Sequence, residues 1–307
     1  VRPEHLIIIG AGPIGMEMAQ AHHQLGAKVT VLEAFKAMGR DDPELAAVVI
    51  DSLKADGIEI REGVRITRAE AAPDGGVVLI LDNDGSEERL EGSHLLVAAG
   101  RKANVERLDL EKAGVEYSPK GIQVDDRLRT TNKRIFAIGD VAGGLQFTHV
   151  AGYHAGIVIR NMLFKLPARA KHDHVPWVTY TDPELAWVGE SADAARKRGV
   201  EVRELKFSFA ENDRARAERK TDGFIKVITT TKGRILGAGI VGPHAGELIQ
   251  VWVLALTKGL KIGDMAGYIA PYPTLGEVSK RVAGSYYTDT LYSDRTRKIV
   301  RFIMKWL

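Results

Sequence analysis

The sequence contains no cysteine among its 307 residues. This absence excludes a disulfide, a thiolate nucleophile and a cysteine-ligated metal within these residues. Long apolar runs are also missing. The longest, at 248–256, is far shorter than the roughly 20 residues that span a bilayer, and it is typical of a buried helix. The sequence therefore predicts a soluble, cytoplasmic protein.

Neither sign of charge is in large excess. The formal net charge is +3, and the Lys and Arg residues are interspersed with acidic ones instead of forming a basic stripe. We therefore expect no nucleic acid partner. Histidines occur in groups at 22–23, 149–154 and 172–174, but none of these groups has the ligand spacing of a metal site. No metal is predicted.

The chain is long and apolar enough for two or three domains, with 45% apolar residues. Apolar runs and amphipathic stretches alternate in its first hundred residues, which is typical of βαβ units. The predicted elements are strands at 6–9, 28–33 and 58–60, helices at 13–25 and 43–56, a hairpin turning at Asp84-Gly85, and a buried strand at 94–100. This pattern predicts a nucleotide-binding α/β domain.

A glycine-rich turn joins the first strand to the first helix. Gly10 permits a tight turn, Gly12 lets the backbone approach a ligand, and Gly15 lets the helix pack closely on the strand. The start of the helix supplies unpaired N–H donors and a favourable dipole. The turn therefore predicts a binding site for the pyrophosphate of a dinucleotide.

An acidic residue ends the second predicted strand. Glu33 lies 18 positions beyond Gly15, where the fingerprint of dinucleotide-binding proteins has its acid. Its carboxylate can accept both hydrogens of a ribose diol and would repel a 2′-phosphate, so NADH is preferred over NADPH. Lys36 and Arg40 are close enough in sequence to weaken that preference. The alternative is a chance glycine turn with a solvated Glu33.

The middle of the chain, 104–167, shows little regular pattern before a short apolar strand predicted at 134–140. That strand delivers Gly139 and Asp140 to its carboxyl end, where an acid can hold a ribitol or ribose hydroxyl. A helix is predicted at 148–164, and its first amides could face an anionic or carbonyl ligand. For the Gly-Asp pair by itself, the alternative is an acid that caps a turn.

The last third of the chain changes to clustered strands with flanking helices, which predicts an α+β domain. The predicted elements are strands near 201–209, 223–230 and 234–241 and helices near 191–198 and 244–258. The stretch 247–256 has large apolar residues around its whole circumference. We therefore expect it to lie in the core or in a subunit interface.

Five motifs in this order resemble the flavin-dependent pyridine nucleotide–disulfide oxidoreductases. They are the glycine motif at 10–17, the strand end at 99–104, the flavin motif of Thr131 and 137–140, the helix start at 147–151 and the segment 180–189. The resemblance covers nearly the whole chain. It implies an α/β fold with a Rossmann-like NAD(P)-binding domain at 1–103, the carboxyl-terminal part of a split FAD-binding domain at 104–170, and an α+β dimerisation domain at 171–307.

The resemblance also implies NAD(P)H and FAD as cofactors and a homodimer. In the family, the glutamate matched by Glu17 lies near the contact between flavin and nicotinamide and pairs with a lysine from a preceding segment that is absent here. The residues implied to bind the cofactors are Gly10, Gly12, Gly15, Glu33, Gly100, Arg101, Gly139, Asp140, Thr148, His149 and Ala151.

Two features of the family have no counterpart in this sequence: its first glycine motif and its redox-active Cys-x4-Cys, which both precede the nicotinamide domain. We therefore expect the sequence to represent the carboxyl-terminal two-thirds of a complete flavoenzyme. By itself it should hold FAD weakly and perform no dithiol chemistry. The implied electron acceptor is a disulfide, a metal ion or another small molecule.

Tyr272 stands where the disulfide reductases have a catalytic histidine, and the glutamate that orients the histidine is kept as Glu277. A phenol with a pKa of about 10 is a poor base at neutral pH, although it can donate a hydrogen bond or contact a soft metal complex. Tyrosine here resembles mercuric reductase, whose carboxyl-terminal cysteine pair is absent. The alternative is a structural tyrosine in a dimer interface. The catalytic candidates are Tyr272, Glu277 and Glu17.

The predicted function is an oxidoreductase that passes hydride from NAD(P)H to FAD and on to a small acceptor. The alternative is an NADH-binding dimeric module without redox activity. The flavin motif favours the enzyme, because a module that only senses NADH does not need it.

The tail, 293–307, predicts an amphipathic helix that could contact an anionic membrane surface weakly. The alternative is that its apolar face docks on the protein's own domain. The basic face has Lys298, Arg301 and Lys305, and the apolar face has Ile299, Phe302, Ile303 and Trp306.

Overall fold

The computed structural model describes residues 2–73, 75–83 and 85–306. The chain forms two compact units. The residues up to Ala99 and those from Pro176 onward form one unit, and Gly100–Val175 forms the other. Within the described residues, no helix is both long and apolar enough to cross a membrane.

A parallel sheet organises the first part of the chain. The strands are β1 (His5–Ile9), β2 (Lys28–Leu32), β3 (Glu59–Arg61), β4 (Arg65–Ala71), β5 (Val77–Asn83), β6 (Ser86–Gly92) and β7 (His94–Val97), and the helices are α1 (Pro13–Gln24) and α2 (Pro43–Ala55). The parallel sheet has the order β3-β2-β1-β7, and β4, β5 and β6 form a small antiparallel sheet. Because β2 and β7 both pair in parallel with β1, the carboxyl end of β1 lies between the carboxyl ends of these two strands.

The strands of the parallel sheet are apolar because both faces are covered. On one face, Ile8 packs in the same buried cluster as Met16 of α1. On the other face, Ile7 packs against Leu79 and Leu81 of the antiparallel sheet. The sequence pattern does not predict β4, because most of its side chains are exposed and no apolar face stands out. The predicted hairpin is present, with Asn83 paired to Ser86, while Asp84 lies outside the described residues.

The unit Gly100–Val175 has few regular elements. They are strands β8 (Tyr117–Ser118) and β9 (Gly121–Ile122), a 3₁₀ turn at Gly139–Ala142 and helix α3 (Thr148–Met162). The strand predicted at 134–140 is wrong. Phe136 makes only an isolated bridge to Arg129, and Gly139, with φ of +65°, turns the chain out of the extended conformation.

The carboxyl-terminal part is built on one antiparallel sheet, of order β10-β11-β14-β13-β12. Its strands are β10 (Trp177–Thr179), β11 (Glu184–Gly189), β12 (Val202–Ser208), β13 (Phe224–Thr230) and β14 (Ile235–Gly242). The helices are α4 (Ala192–Lys197), α5 (Asp213–Glu218), α6 (Ala245–Leu248), α7 (Gln250–Lys258), α8 (Ile262–Gly267), α9 (Glu277–Ser285), α10 (Thr288–Leu291) and α11 (Asp294–Ile303).

The helix predicted at 244–258 is observed as α6 and α7, which meet at Ile249. The Trp252 amide donates to the Ile249 carbonyl three residues earlier, so the chain tightens locally there. Trp252 is completely buried, and its Nε1 donates to Ser279 Oγ of α9 at 3.0 Å. Leu254 on the other side of α7 is 56% exposed. The helix therefore has one face in the core and one face open to solvent, on which Val251 and Leu254 are apolar.

A buried ion cluster joins α2 to the antiparallel sheet. Lys226 of β13 is 5% exposed, and its Nζ lies 2.7 Å from Asp42 Oδ2, 2.8 Å from Glu44 Oε2 and 3.1 Å from Glu204 Oε2. Burial opposes the charge of Lys226, but its three carboxylate partners outweigh burial and raise its pKa above the usual value. The other oxygen of Asp42 accepts the Glu44 N–H at the start of α2.

Candidate functional site

The glycine turn is tightly packed at two of its three glycines. Gly10 has a φ of +102°, and a Cβ added to it would lie 2.7 Å from the carbonyl oxygen of Ala98. A Cβ on Gly15 would lie 1.9 Å from the carbonyl oxygen of Gly10. These glycines let the end of β1, the start of α1 and the chain after β7 approach one another. Both positions exclude a side chain for reasons internal to the fold.

Gly12 differs from the other two glycines. A Cβ on Gly12 would have no heavy atom within 4 Å, and its φ of −77° is open to any residue. The folded chain therefore gives no reason for glycine here. Space is left beside the Gly12 backbone, which is the space that an approaching phosphate group requires.

The start of α1 has the properties of an anion site. Gly12 is its N-cap and supplies no side-chain cap, Pro13 is its first helical residue, and its first turn has no acidic residue. The first-turn amides of a helix have no acceptor within the helix, and the dipole favours negative charge there. The residues present therefore fit the pyrophosphate of a dinucleotide.

Glu33 lies directly after β2, beside this turn. Its Oε2 accepts the N–H of Ala11 at 2.9 Å, and its Oε1 accepts the N–H of Phe35 at 3.0 Å. The carboxylate is thus held by one backbone bond on each oxygen. A carboxylate has about four acceptor sites in total, so each oxygen can still accept a further hydrogen bond.

Glu17 of α1 has a structural partner that sequence reasoning missed. Its Oε1 accepts the N–H of Tyr180 at 2.8 Å. One turn later, Gln20 exchanges two hydrogen bonds with the backbone of Asp182, at 2.7 and 2.9 Å. These bonds tie α1 to the segment before β11. The role near flavin and nicotinamide that the family resemblance implies for Glu17 stays a prediction.

In the unit Gly100–Val175, the structure brings Asp140 together with Arg101. Asp140 is half-exposed in the 3₁₀ turn, and its Oδ2 lies 3.7 Å from Nη1 of Arg101, whose Nη2 donates to the carbonyl of Gln146. Gly100 before it has a φ of +126°, a conformation that favours glycine. The hydrogen bond to Gln146 thus holds the side chain of Arg101 close to Asp140.

The same turn packs on the first turn of α3. A Cβ on Gly139 would lie 3.0 Å from the Cβ of Ala151, so small residues at both positions allow the close approach. Thr148 and His149 at the start of α3 are exposed, and the His149 ring stacks on Phe147 at 5.1 Å between centroids. The turn that carries Asp140 and the start of α3, both predicted to lie on the flavin side, are thus packed against each other.

His154 of α3 contacts this turn. From the sequence, His154 is considered only as a metal ligand, and this contact is not predicted. The Gly139 N–H donates to His154 Nδ1 at 3.1 Å, and His154 Nε2 lies 2.7 Å from Nε2 of His172. Because Nδ1 accepts, the hydrogen of the neutral ring is on Nε2 and points to His172. Burial, followed by the charge of His172, lowers the pKa of His154 below 6.5.

We expect this histidine to make the protein less stable in mild acid. The unfolded chain binds the proton at a higher pH than the folded chain, so the contribution to stability is complete above about pH 6.5 and declines as the pH falls below it. The variant His154→Asn keeps an acceptor for Gly139 and cannot be protonated. Urea unfolding at pH 7.5 and pH 5.5 should show a smaller acid-induced loss in the variant, and equal losses would contradict the assignment.

Tyr272 and Glu277 lie near each other, but Tyr272 binds a different acid. Its hydroxyl donates to Asp213 Oδ2 at 3.0 Å, while the residue is 69% exposed. The bond to Asp213 and, to a smaller extent, the charge of Glu277 raise the pKa of Tyr272 above 10. The phenol is therefore protonated at neutral pH. Asp213 has no sequence signal of its own beyond a place in the first turn of α5.

In the part of the chain that the structure describes, no group of three or more His, Asp and Glu side chains is placed to hold a metal ion.

Two family models match the chain. "Pyridine nucleotide-disulphide oxidoreductase" matches residues 1–155, and the dimerisation domain of the same group matches 175–283. The chain is 36% identical over 279 residues to mercuric reductase from Bacillus cereus, a match that covers 90% of this chain and 44% of that protein. It is also 36% identical over 284 residues to dihydrolipoyl dehydrogenase from Geobacillus stearothermophilus, covering 92% of this chain and 60% of that protein. The chain thus spans 44% to 60% of the length of these relatives.

Solved structures confirm the predicted fold class. The flavoprotein disulfide reductase RclA from Escherichia coli superposes with a TM-score of 0.84 at 29% identity, covering 92% of this chain and 65% of that one. LpdA from Mycobacterium tuberculosis superposes with a TM-score of 0.86 at 27% identity, covering 93% and 62%. Together with the two family models, they show that this chain belongs to the pyridine nucleotide-disulphide oxidoreductase family.

Proposed function

We propose that this chain supplies the NAD(P)H site and part of the flavin site of an oxidoreductase that passes hydride from NAD(P)H to FAD and then to a small acceptor. Members of the family use these two cofactors. The observation that carries the proposal is the glycine turn: the fold requires its outer glycines, but it gives no reason for glycine at Gly12, where the space is open to a ligand. NAD(P)H supplies a hydride and FAD accepts it when both are bound.

The chain's own residues would bind and orient the dinucleotide. The amides at the start of α1 would receive the pyrophosphate beside Gly12. The two oxygens of Glu33 that already hold Ala11 and Phe35 keep one acceptor position each, which matches the two hydroxyls of a ribose diol. This geometry supports NADH as the preferred cofactor, because a 2′-phosphate would bring a second negative charge against Glu33.

Glu33→Gln tests that preference. Glutamine keeps an acceptor for one of the two backbone N–H groups and removes the charge, so we expect the affinity for NADPH relative to NADH to rise about tenfold, which is about 1.4 kcal/mol. Isothermal titration with both nucleotides measures the ratio. Glu59→Gln, at an acid on the neighbouring strand, is the control and should leave the ratio unchanged. An unchanged ratio in Glu33→Gln would contradict the ribose role.

On the flavin side, Asp140 would accept a ribityl hydroxyl and the first amides of α3 would face the polar edge of the flavin ring. The half-exposed carboxylate, the 3.7 Å approach of Arg101 and the absence of a side-chain cap on α3 support these roles. His154 would hold the turn in place through Gly139.

Tyr272 is unsuited to act as a base, because the bond to Asp213 raises its pKa, and its single O–H can be donated to an acceptor molecule only when it releases Asp213. We therefore propose that Tyr272 orients the acceptor and that Glu277 adds negative charge nearby. A family member with histidine at this position could shuttle a proton near neutral pH, and this chain could not.

A homodimer belongs to the same proposal, since the match to the dimerisation domain covers 175–283. The exposed face of α7 offers apolar surface for it. We expect Leu254→Glu to shift the protein to monomer in sedimentation velocity and to leave the unfolding midpoint of the monomer unchanged. A variant that sediments like the unaltered protein would remove α7 from the interface.

The redox proposal is tested by anaerobic bleaching of added FAD at 450 nm. The chain, NADH and excess FAD are mixed, and the rate is compared with the rate in buffer. We expect faster bleaching with the chain, and slower bleaching with Gly12→Ala or Asp140→Ala. Asp126→Ala, an exposed acid paired with Arg169 in the same unit, is the matched control.

Two results would contradict the proposal. If NADH does not bind in a saturable way, the nucleotide site is wrong. If NADH binds but FAD, at concentrations that saturate the chain, bleaches no faster than in buffer, a nucleotide-binding module without redox activity explains the chain better.

A further inference from the structure

Helix α11 has an apolar face that the described part of the protein does not cover. Ser293 caps it by accepting the Thr296 N–H, and it runs from Asp294 to Ile303. None of its residues is buried, and the exposure continues through Trp306. A helix of ten residues with both faces in water is marginally stable, so its amphipathic pattern calls for a partner surface.

The two faces of α11 are separated except at Arg295, which lies on the apolar side, and Met304, which lies on the basic side. At 100° per residue, the apolar residues Ile299, Phe302, Ile303 and Trp306 fall within about a third of the circumference, and the basic residues Arg297, Lys298, Arg301 and Lys305 fall opposite them. The rings of Phe302 and Trp306 lie 6.3 Å apart, and their residues are 63% and 80% exposed. The apolar face thus ends in an exposed aromatic pair.

We propose that α11 docks this protein on the surface of a bilayer that contains anionic lipids. The segment 293–306 has five basic residues and one acidic residue, which complements anionic headgroups. Trp306 has the amphipathic ring that is favoured at the boundary between headgroups and acyl chains. Arg295 interrupts the apolar face in the first turn, where a long basic side chain can reach back to the headgroups.

An anionic bilayer accounts for both faces of α11, whereas a purely apolar partner accounts for only one. A helix that docks on the core of its own domain buries its apolar face, and α11 buries none of it. A second copy packed face to face on α11 would cover the apolar residues but would leave the basic face without a counter-charge. An anionic bilayer accepts the apolar face and attracts the basic one.

Vesicle flotation of the full chain tests the proposal. Vesicles of phosphatidylglycerol and phosphatidylcholine are compared with vesicles of phosphatidylcholine alone. We expect flotation with the anionic vesicles only and a decline as salt rises, because salt screens the basic face. Phe302→Ser/Trp306→Ser should lower the floated fraction at least about tenfold, whereas the control Leu25→Ser/Ile269→Ser, at equally exposed apolar positions, should float normally.

Charge and environment give two further readouts. Lys298→Glu/Arg301→Glu should abolish flotation, and Lys54→Glu/Lys232→Glu should not.

Trp306 is the exposed tryptophan among the four of this chain, so binding should shift its fluorescence to the blue. Failure to float with anionic vesicles at low salt, or flotation that survives Phe302→Ser/Trp306→Ser, would overturn the proposal. Loss of oligomers in that variant without flotation of the unaltered protein would assign the face to a second copy and also overturn it.

Discussion

Replacing Gly12 with alanine is expected to weaken NADH binding about 100-fold, or about 2.7 kcal/mol. A methyl group at this position meets no atom of the protein within 4 Å and sits in an allowed conformation, so it fits the folded chain. It would occupy the space through which a pyrophosphate reaches the amides of α1. Isothermal titration measures the binding, and urea unfolding should show a loss of no more than about 1 kcal/mol.

Gly15→Ala is the informative counterpart. Its Cβ would lie 1.9 Å from the carbonyl oxygen of Gly10, and that atom belongs to the backbone and cannot rotate away. We expect the free energy of unfolding to fall by about 3 kcal/mol. If Gly12→Ala destabilised the fold as much as Gly15→Ala, or bound NADH normally, the distinction between a glycine for the fold and a glycine for the ligand would fail.

The second large effect is expected at Lys226, where Lys226→Met should lower the free energy of unfolding by about 3–5 kcal/mol. The substitution leaves Asp42, Glu44 and Glu204 without their shared cation, and Asp42 is almost completely buried. The three acids come from both sides of the contact between α2 and the antiparallel sheet. Urea unfolding measures the loss.

Lys206→Met provides the comparison, since Lys206 also binds Glu44, at 2.6 Å, but is nearly half exposed. We expect this variant to lose at most about 1 kcal/mol. Similar losses in both variants would show that burial of Lys226 does not matter.

The pH dependence of the cluster has a definite sign. Hydrogen bonds from Lys206 and Lys226 lower the pKa of Glu44, so its contribution to stability is present above about pH 4.5 and is lost as the pH falls through the lowered value. Lys226→Met should make the unfolding midpoint less sensitive to acid in that range.

The glycine turn and Glu33 could be predicted from the sequence because each is a local requirement. The positive φ of Gly10 and the contact of Gly15 with the Gly10 carbonyl are local, and the spacing to Glu33 follows from one helix and one strand. The approach of Ala98 to Gly10 is not local and could not be predicted. The family resemblance added Asp140 and its neighbours in the same way, as short motifs.

The contacts that hold these motifs in place could not be predicted. Lys226 and Asp42 form an ion pair although they lie 184 positions apart, and the sequence around neither residue indicates the pairing. His154 of α3 accepts a hydrogen bond from the Gly139 N–H. From the sequence, a histidine at this spacing suggests only a metal ligand, and that interpretation is rejected. The strand predicted at 134–140 failed because a positive φ at Gly139 depends on close packing against Ala151, which sequence periodicity does not show.

If Glu33 selects the ribose as we propose, its bond to Ala11 limits how this protein could change its cofactor. The carboxylate that would select the ribose also fastens the glycine turn to the end of β2. A substitution that removes the Glu33 carboxylate to allow NADPH binding would also remove the hydrogen bond that positions the glycine turn. We would then expect both nucleotides to bind more weakly. A successful exchange has to provide a neutral acceptor for the Ala11 N–H together with a cation for the 2′-phosphate. Two coordinated substitutions are needed, and a single-step evolutionary route to NADPH is correspondingly narrow.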